Sequence, residues 1–431
     1  MSGLLDGRSP LGWALSATVG GVHGQLSVAA LIEECSRPGL PGMVPSERFS
    51  LAAVPAVLLA ELERARRGVV VLAVDGVSHA AASSSWAGAE ITFLTSTFPS
   101  TSATAWLTAL TGRGPRVHGV PGMVYRVGGT LVYAVTGERV AGTPGPPPDG
   151  AVRPQPTVFE RATGARCLVL GRELDHLGGE WAAALVRGAA PVSGVWRQDT
   201  DSHSRPVHRA VGLGPADLAG QAGDPELLAE TIIGGVTAVL TGPATAARAT
   251  AGTAGTAGTV LLWVYVNFDE YIHDHGYDGA VLAALRRLDG AARGWAEGGW
   301  TVVAHSDHGQ VPVRPDPALA AAWAEVDDPR ECELPAGGAG RVRWLHPRPG
   351  REDAVRARLS AALGGSAVVF AASELPLPPH LRLPPERAGA VVAVAASPAF
   401  PVPNPRLRFE HGGLDVDEMV VPLGVWRPSG G

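Results

Sequence analysis

Three short apolar runs, each followed by an acidic residue, constrain the fold of this chain more than any other feature. The runs and the aspartates after them are 69–74 with Asp75, 261–266 with Asp269, and 301–305 with Asp307. Runs that are apolar at almost every position are typical of strands buried on both faces of a parallel sheet. Ligands of such sheets bind at the carboxyl ends of the strands, so we expect the three acids to share one site.

Composition narrows the class of protein. The chain has 431 residues, 45% of them hydrophobic and 18% charged, and can bury a large core. Its net charge of −6 gives no general attraction to nucleic acids or anionic membranes, so we predict no specific nucleic-acid binding. The three cysteines are far apart, which disfavours a cysteine metal site and favours a reducing, cytoplasmic compartment. No apolar run approaches the about 18 residues that span a bilayer, so we expect no membrane insertion.

Periodicity predicts strands and helices on either side of a long irregular stretch. Helical spacing predicts helices at 51–67, 102–110, 278–296 and 352–363, and apolar runs predict strands at 69–74, 259–266, 301–305, 367–372 and 388–396. The stretch 124–258 is rich in arginine, glycine and proline and lacks this rhythm. Its repetitive end, 242–258, is typical of a surface linker.

These patterns predict a discontinuous α/β core with two insertions. The predicted core segments are 1–68 at the N-terminus, 69–123 and 259–315 with the acidic strand ends, and 388–431. The predicted insertions are 124–258, a cap that recognises the substrate, and the smaller 316–387. The larger insertion is placed over the site because loops at the carboxyl ends of strands border it.

A second signal lies in the segment 98–112, FPSTSATAWLTALTG. Ser102 stands at the start of the predicted helix, where the helix dipole and free backbone N–H groups favour an anion and help to stabilise an alkoxide. A metal ion on the same oxygen would lower its pKa further. Ser102 is therefore the candidate nucleophile, and Thr101 and Thr104 remain alternatives.

The same segment, with Pro115 and His118-Gly119 after it, resembles the nucleophile segment of the type I phosphodiesterase/nucleotide pyrophosphatase group in the alkaline phosphatase superfamily. The superfamily's other motifs follow in order: Asp75-Gly76, D-x-x-x-H-x-x-G at 269–276, SDHG at 306–309, and His411-Gly412. The stretch 410–426 is also similar to the end of PglZ-type domains. Ala105 stands where the family has an asparagine that contacts phosphate.

The resemblance implies an alkaline-phosphatase-like three-layer core with a mostly parallel central sheet, and two divalent metal ions, Zn²⁺ or alternatively Mn²⁺. It implies that Asp75, Asp307, His308 and the Ser102 oxygen hold one ion, and that Asp269, His273 and His411 hold the other. His275 competes with His273 for its place. His275 and His305, like Thr101 and Thr104, are otherwise expected to contact the ligands or the substrate.

The function implied is a two-metal hydrolase of phosphate esters that forms a covalent phosphoryl intermediate on Ser102. The first expectation is a phosphodiesterase or nucleotide pyrophosphatase with a small-molecule phosphate ester or nucleotide as substrate. A phosphomonoesterase or phosphonate hydrolase is the alternative within the superfamily. A PglZ-like module with a structural or defence role in a larger assembly is the alternative from another class. The sequence leaves the oligomeric state open.

Overall fold

The computed structural model describes residues 27–145, 149–171, 179–192, 196–200, 206–210, 223–242, 258–378 and 381–428. The linker predicted at 242–258 lies outside these residues apart from its two ends, as do residues 1–26 of the predicted N-terminal segment. Within the described part of the chain, no helix has the length and apolar character needed to cross a membrane.

A seven-stranded, mostly parallel sheet forms the centre of the molecule. In spatial order its strands are β2 (Glu90–Thr95), β17 (Val420–Trp426), β10 (Thr301–His305), β1 (Gly68–Asp75), β9 (Val260–Asn267), β5 (Arg166–Leu170) and β6 (Ala190–Pro191). The pairs from β10 to β6 are parallel, and β17 and β2 are antiparallel to their neighbours. The prediction of an α/β fold with a mostly parallel central sheet is confirmed.

Strand β1 runs through the middle of the sheet and is buried at all eight positions. Side chains alternate between the two faces of a strand. Val69, Val71 and Ala73 accordingly pack into one hydrophobic cluster, while Val70 and Leu72 pack into the cluster on the opposite face. A strand covered on both faces must be apolar throughout, which is why the sequence run identifies it.

Helices cover both faces of this sheet, and two more cover a second sheet. In chain order they are α1 (Val28–Cys35), α2 (Val54–Arg64), α3 (His79–Ser83), α4 (Ser102–Thr111), α5 (Pro115–His118), α6 (Val158–Arg161), α7 (Glu180–Leu185), α8 (Pro225–Thr241), α9 (Asp269–His275), α10 (Gly279–Glu297), α11 (Pro317–Val326), α12 (Glu352–Leu363) and α13 (Val416–Met419). Short 3₁₀ turns lie at Leu51–Ala53, Gly364–Ser366 and Ala372–Glu374. The helix at α10 starts where Asp278 caps two backbone N–H groups, and its apolar stripe faces the core.

A second sheet of six antiparallel strands packs beside the first. Its order is β14 (Ala367–Ala371), β15 (Val391–Ala395), β13 (Val342–Pro347), β12 (Cys332–Ala339), β3 (Val124–Val127) and β4 (Thr130–Tyr133). Val342, Trp344 and Val392 join the hydrophobic cluster of the central sheet, and α11 and α12 cover the other face. Two small pairs, β11 (Val311–Pro312) with β16 (Phe409–Glu410) and β7 (Trp196–Thr200) with β8 (Pro206–Ala210), complete the strands of the described residues.

The structure divides the chain differently from the predicted boundaries. The segment 124–258, predicted as a cap, contributes β5 and β6 to the central sheet and β3 and β4 to the second sheet. The strand at Val391–Ala395, predicted to return to the central core, pairs with β13 and β14 instead. These strands are short, and the pairs that place β3 and β5 in their sheets join them to β12 and β9, far away in sequence, so local apolar patterns do not reveal which sheet they join.

Candidate active site

The acidic strand ends meet at the carboxyl edge of the central sheet. Strand β1 pairs in parallel with β9 and with β10, and Asp75 lies opposite Asn267. Asp269 follows shortly after β9, at the first position of α9, and Asp307 follows shortly after β10. Because parallel strands end on the same edge, the topology brings the three carboxylates together, as the sequence predicts.

Gly76 permits the closest approach between two of these strand ends. Its φ of +78° lies in the left-handed region, and a Cβ at this position would be 2.8 Å from the Asp269 Cα. Any side chain here would push the Asp269 helix away from Asp75. The glycine after the first acid is therefore part of how the site is assembled.

The Ser102 hydroxyl points into the acidic cluster from the first position of α4. Its Oγ is 3.3 Å from Asp75 Oδ1 and 3.0 Å from His308 Nε2. Thr101 and Thr104 are fully buried, and their hydroxyls have no hydrogen-bond partner among the described residues. Of the three candidate hydroxyls, the Ser102 hydroxyl is the one that hydrogen-bonds to the cluster.

Three histidine rings have the same orientation, with Nδ1 towards a backbone carbonyl and Nε2 towards the acids. The Nδ1 atoms of His273, His308 and His411 lie 2.9, 3.2 and 2.8 Å from the backbone carbonyls of Phe409, Gly309 and Ser100, respectively. Such contacts fix the tautomer with the proton on Nδ1 and orient the ring. The Nε2 atom of each ring then faces the carboxylates.

The acids and histidines form three overlapping groups whose ligand atoms lie within 4.8 Å of one another: Asp75, Asp307 and His308; Asp269, His308 and His411; and His273, Glu410 and His411. The first group contains three of the four ligands implied for one ion. The ligands implied for the other are adjacent, with His273 Nε2 3.1 Å from Asp269 Oδ2 and His411 Nε2 4.0 Å from Asp269 Oδ1. The structure brings all seven residues implied by the family resemblance into one cluster.

Sequence reasoning missed two residues that the structure places in this cluster. The Glu410 carboxylate is buried. Its Oε1 lies 3.7 Å from His411 Nε2 and 4.0 Å from His273 Nδ1. The Gln310 side chain is also buried, and its Nε2 donates to Asp269 Oδ1 at 2.6 Å. Both stand directly beside recognised motifs, Glu410 before the terminal His-Gly and Gln310 after SDHG. That adjacency is the signal that identifies them.

His275 and His305 lie apart from the cluster. The His275 ring is exposed and stacks on Tyr271 at 4.1 Å between ring centroids. His305 is buried on β10, where its ring packs against Trp106 at 5.4 Å. Between the two candidates, the structure thus favours His273 over His275, because only the His273 ring reaches Asp269.

Buried charges shift the pKa values of the site. Burial raises the pKa of Asp75 well above its usual range, and the charges of Asp307 and Asp269 raise it further. Burial, and then the charge of Asp269, raises the pKa of Asp307 to about 7. Burial opposes the charged form of His273, but the Asp269 carboxylate outweighs it and raises the pKa of that imidazole to about 10. A cation among these acids would relieve their mutual repulsion.

The donor set fits divalent cations. Asp307 Oδ2 is buried and accepts no hydrogen bond from the described residues, although His308 Nε2 lies 3.3 Å away. Carboxylate oxygens with imidazole nitrogens are ligands of Zn²⁺ and Mn²⁺. The residues present therefore meet the chemical requirement of the metal site that the family resemblance implies.

Comparison with solved structures identifies the fold. Phosphonoacetate hydrolase from Sinorhizobium meliloti 1021 matches with a TM-score of 0.53 at 18% identity, over 85% of this chain and 91% of that chain. Murine ectonucleotide pyrophosphatase/phosphodiesterase 5 matches with a TM-score of 0.51 at 15% identity, over 84% and 88%. Wild-type alkaline phosphatase PafA matches with a TM-score of 0.55 at 14% identity, over 84% and 91%. The predicted alkaline-phosphatase-like fold is confirmed.

The family follows from the sequence match. The family described as type I phosphodiesterase/nucleotide pyrophosphatase matches residues 84–406, and the chain belongs to this family. The prediction of a phosphoric ester hydrolase is thereby confirmed. The matched residues include Ser102, Asp269 and Asp307, whereas Asp75 and His411 lie outside them. Comparison with curated protein sequences finds no match.

Proposed function

We propose that this protein hydrolyses phosphodiesters of small molecules, nucleotides included, with Ser102 as nucleophile and two divalent cations as cofactors. One observation carries the proposal. The Ser102 hydroxyl sits at the start of a helix and 3.3 Å from the buried Asp75 carboxylate, at the edge where three acids converge.

In the proposed reaction, Ser102 Oγ forms a bond to phosphorus while the bond from phosphorus to the leaving oxygen breaks. The serine hydroxyl gives up its proton and the leaving oxygen takes one up, so that an alcohol or nucleotide fragment is released and the phosphoryl group, with its remaining ester substituent, stays on the serine. Water then breaks the serine ester and restores the hydroxyl. The hydrogen bond to Asp75 Oδ1 orients the hydroxyl, and the N-terminus of α4 favours the negative charge that arrives beside it.

The residues that would hold the cations are those of the cluster. Asp75, Asp307, His308 and the Ser102 oxygen are proposed for one, and Asp269, His273 and His411 for the other. Their mixed oxygen and nitrogen donors suit Zn²⁺, with Mn²⁺ as the alternative. When bound, such cations stabilise charge on the attacking and leaving oxygens.

Substrate recognition is proposed to depend on parts of the chain other than the nucleophile helix. Ala105, in the position of the family's phosphate-contacting asparagine, is fully buried, as is Ala103. A methyl side chain cannot donate a hydrogen bond to phosphate as an asparagine side chain does. The segment 124–258 is proposed to supply contacts to the substrate, and the segments of it that join the two sheets anchor it to the core.

The proposed activity is tested with the metal-loaded protein on bis(p-nitrophenyl) phosphate and p-nitrophenyl phosphate. We expect Zn²⁺ or Mn²⁺ to support faster cleavage of the diester, and a chelator to abolish it. Faster cleavage of the monoester would favour the phosphomonoesterase, and cleavage of phosphonoacetate alone the phosphonate hydrolase. No cleavage at full metal occupancy would overturn the proposal and favour a PglZ-like module in a larger assembly.

A cytoplasmic location is proposed from the cysteines. Cys35, Cys167 and Cys332 are free and buried. Burial raises the pKa of these thiols, to about 11 for Cys35 and about 12 for Cys332. Protonated, separated thiols are suited to a reducing compartment. Fractionation of the native host cells would test the location.

A further inference from the structure

The two oxygens of the Asp75 carboxylate have different surroundings. Oδ1 faces the site, 3.3 Å from Ser102 Oγ and 3.7 Å from His308 Nε2. Oδ2 faces the protein interior and accepts two hydrogen bonds. One comes from the Trp106 indole N–H at 3.0 Å, and the other is a short one from the Tyr265 hydroxyl. The donors occupy the oxygen that points away from the site and leave the other oxygen to face it.

Trp106 connects this carboxylate to the nucleophile helix. It lies four residues after Ser102 on α4, so both side chains project from the same face of the helix. Ser102 donates to Asp75 Oδ1 while Trp106 donates to Asp75 Oδ2. A single helix therefore holds the carboxylate at both oxygens and sets its distance from the nucleophile.

Tyr265 approaches the carboxylate from the neighbouring strand. It lies on β9 opposite Ala73, two residues before the position opposite Asp75, and alternate residues of a strand share a face. Its ring lies against Trp263 and Trp106, with ring centroids 6.0 and 5.8 Å away. This packing fixes where the hydroxyl can point.

We propose that Trp106 and Tyr265 are positioning residues that hold Asp75 as a one-oxygen ligand, with Oδ1 presented to the cation. The inference rests on the proposed function, because it assumes that Asp75 is a ligand. Groups that hydrogen-bond to a ligating side chain orient it, and their loss typically costs about 10- to 100-fold in metal affinity. Both donors are fixed by packing, so the carboxylate has one orientation before a cation binds.

Tyr265→Phe tests this most directly, because it removes the hydroxyl and keeps the ring. The measurement is competition between metal-free protein and a chromophoric chelator for Zn²⁺, without substrate. We expect the affinity of one of the two ions to fall about 10-fold or more and that of the other to stay unchanged. We expect Trp106→Phe to act on the same ion. Diesterase assays at limiting and saturating Zn²⁺ should show a loss that excess metal reduces.

Trp263→Phe is the matched control. Trp263 belongs to the same aromatic cluster, but its indole nitrogen is buried with no hydrogen-bond partner among the described residues. This variant removes the same bulk as Trp106→Phe without removing a donor to Asp75. We expect wild-type affinity for both ions, even where the melting temperature falls.

The outcomes separate the inference from the proposed function. Unchanged Zn²⁺ affinity in Tyr265→Phe and Trp106→Phe, in a protein that cleaves diesters, would overturn the positioning role alone. An equal loss in Trp263→Phe would show that packing is responsible, which also overturns it. Wild-type protein that binds two ions and cleaves no ester would refute the proposed function, while reduced affinity in Tyr265→Phe would still support the positioning of Asp75.

Discussion

The carboxyl edge of the central sheet and the end of the second sheet, at the turn between β12 and β13, both bury charged side chains. The two regions compensate these charges differently. At the edge, Asp75 and Asp307 are at most 1% exposed, and the basic side chains within 4.0 Å of the cluster acids are histidines, as far as the chain is described. At the end of the second sheet, Arg341 and Glu418 form an ion pair at 3.2 Å, with side chains 5% and 0% exposed.

Hydrogen bonds hold both partners of the ion pair, although the buried Arg341 Nε itself has no hydrogen-bond partner among the described residues. Glu418 accepts from the backbone N–H groups of Gly413 and Asp415, at 2.8 and 3.0 Å, and Arg341 donates to the Ser397 carbonyl. The backbone N–H of Arg341 donates to the His411 carbonyl at 2.8 Å. The pair thus supports the loop that carries a proposed ligand.

The difference shows that buried charged groups can serve two purposes, the stability of the fold or the binding of a ligand. A buried ion pair compensates its charges within the fold, and removing one partner is destabilising. Clustered carboxylates repel each other, and a bound cation relieves that repulsion. The sheet edge is therefore the region in which stability and function should respond to metal, and the second sheet the region in which they should not.

The largest expected effect is on catalysis. Ser102→Ala should lower kcat for bis(p-nitrophenyl) phosphate at least about 10⁴-fold, because removing a nucleophile removes its whole pathway. Zn²⁺ binding to the other ligands should persist, as measured by metal content after gel filtration. Thr101→Val and Thr104→Val keep the size of two neighbouring hydroxyl residues and should retain activity. Normal turnover in Ser102→Ala would refute the assignment of the nucleophile.

The next effect is on stability. Zn²⁺ at 1,000 times its dissociation constant should stabilise the folded protein by about 4 kcal/mol for each ion that binds only the folded state. Thermal unfolding with chelator and with added Zn²⁺ measures the shift. Asp307→Asn should reduce it, because the buried carboxylate is lost. If wild-type protein melts at the same temperature with chelator and with added Zn²⁺, the sheet edge binds no cation, and the proposed difference between the two regions is wrong.

A smaller loss is expected when the ion pair is broken. Glu418→Gln should lower the free energy of unfolding by about 3 kcal/mol, because it leaves the Arg341 charge buried without a partner. Glu230→Gln is the matched control, since Glu230 pairs with Arg287 on the surface, where such pairs contribute about 1 kcal/mol or less. Urea denaturation at fixed Zn²⁺ concentration measures both. Equal losses would show that burial does not distinguish the two pairs.

The smallest expected effect is on the pH dependence of stability, through a buried histidine of the second sheet. Burial, and then Arg126, lowers the pKa of His346 on β13 to about 4. Below about pH 6.5 the unfolded chain takes up a proton there that the folded protein excludes, so this group costs stability as pH falls from 6.5 towards 4. Relative to wild type, His346→Leu should gain about 2 kcal/mol between pH 6.5 and 5. Urea denaturation at the two pH values measures it, and a constant difference would contradict the lowered pKa.

Short-range patterns predicted the three middle strands of the central sheet, β10, β1 and β9, and the helices at α2, α4, α10 and α12. The bounds of strand β1 and helix α10 lie within a few residues of the predicted ones. A strand buried on both faces is a continuous apolar run, and a helix buried on one face has apolar residues at helical spacing, so both can be recognised from neighbouring residues. Of the second sheet, the strands β14 and β15 were predicted, but the other strands and the way the six pair were not. Its strands β12 and β13 pair with register shifts, and β3 pairs with β12 across more than 200 residues of sequence. Such pairing leaves no local pattern.

The sequence by itself determined the chemistry at this site: acids at three strand ends, a serine at a helix start, histidines in spaced motifs, and the family to which the chain belongs. Tertiary structure decided which atoms meet. Only packing between distant segments brings Glu410 and Gln310 to the ligands and turns Trp106 and Tyr265 onto one oxygen of Asp75. The physical reason is range: strand and helix signals are local, whereas the orientation of a carboxylate depends on donors from other segments of the chain.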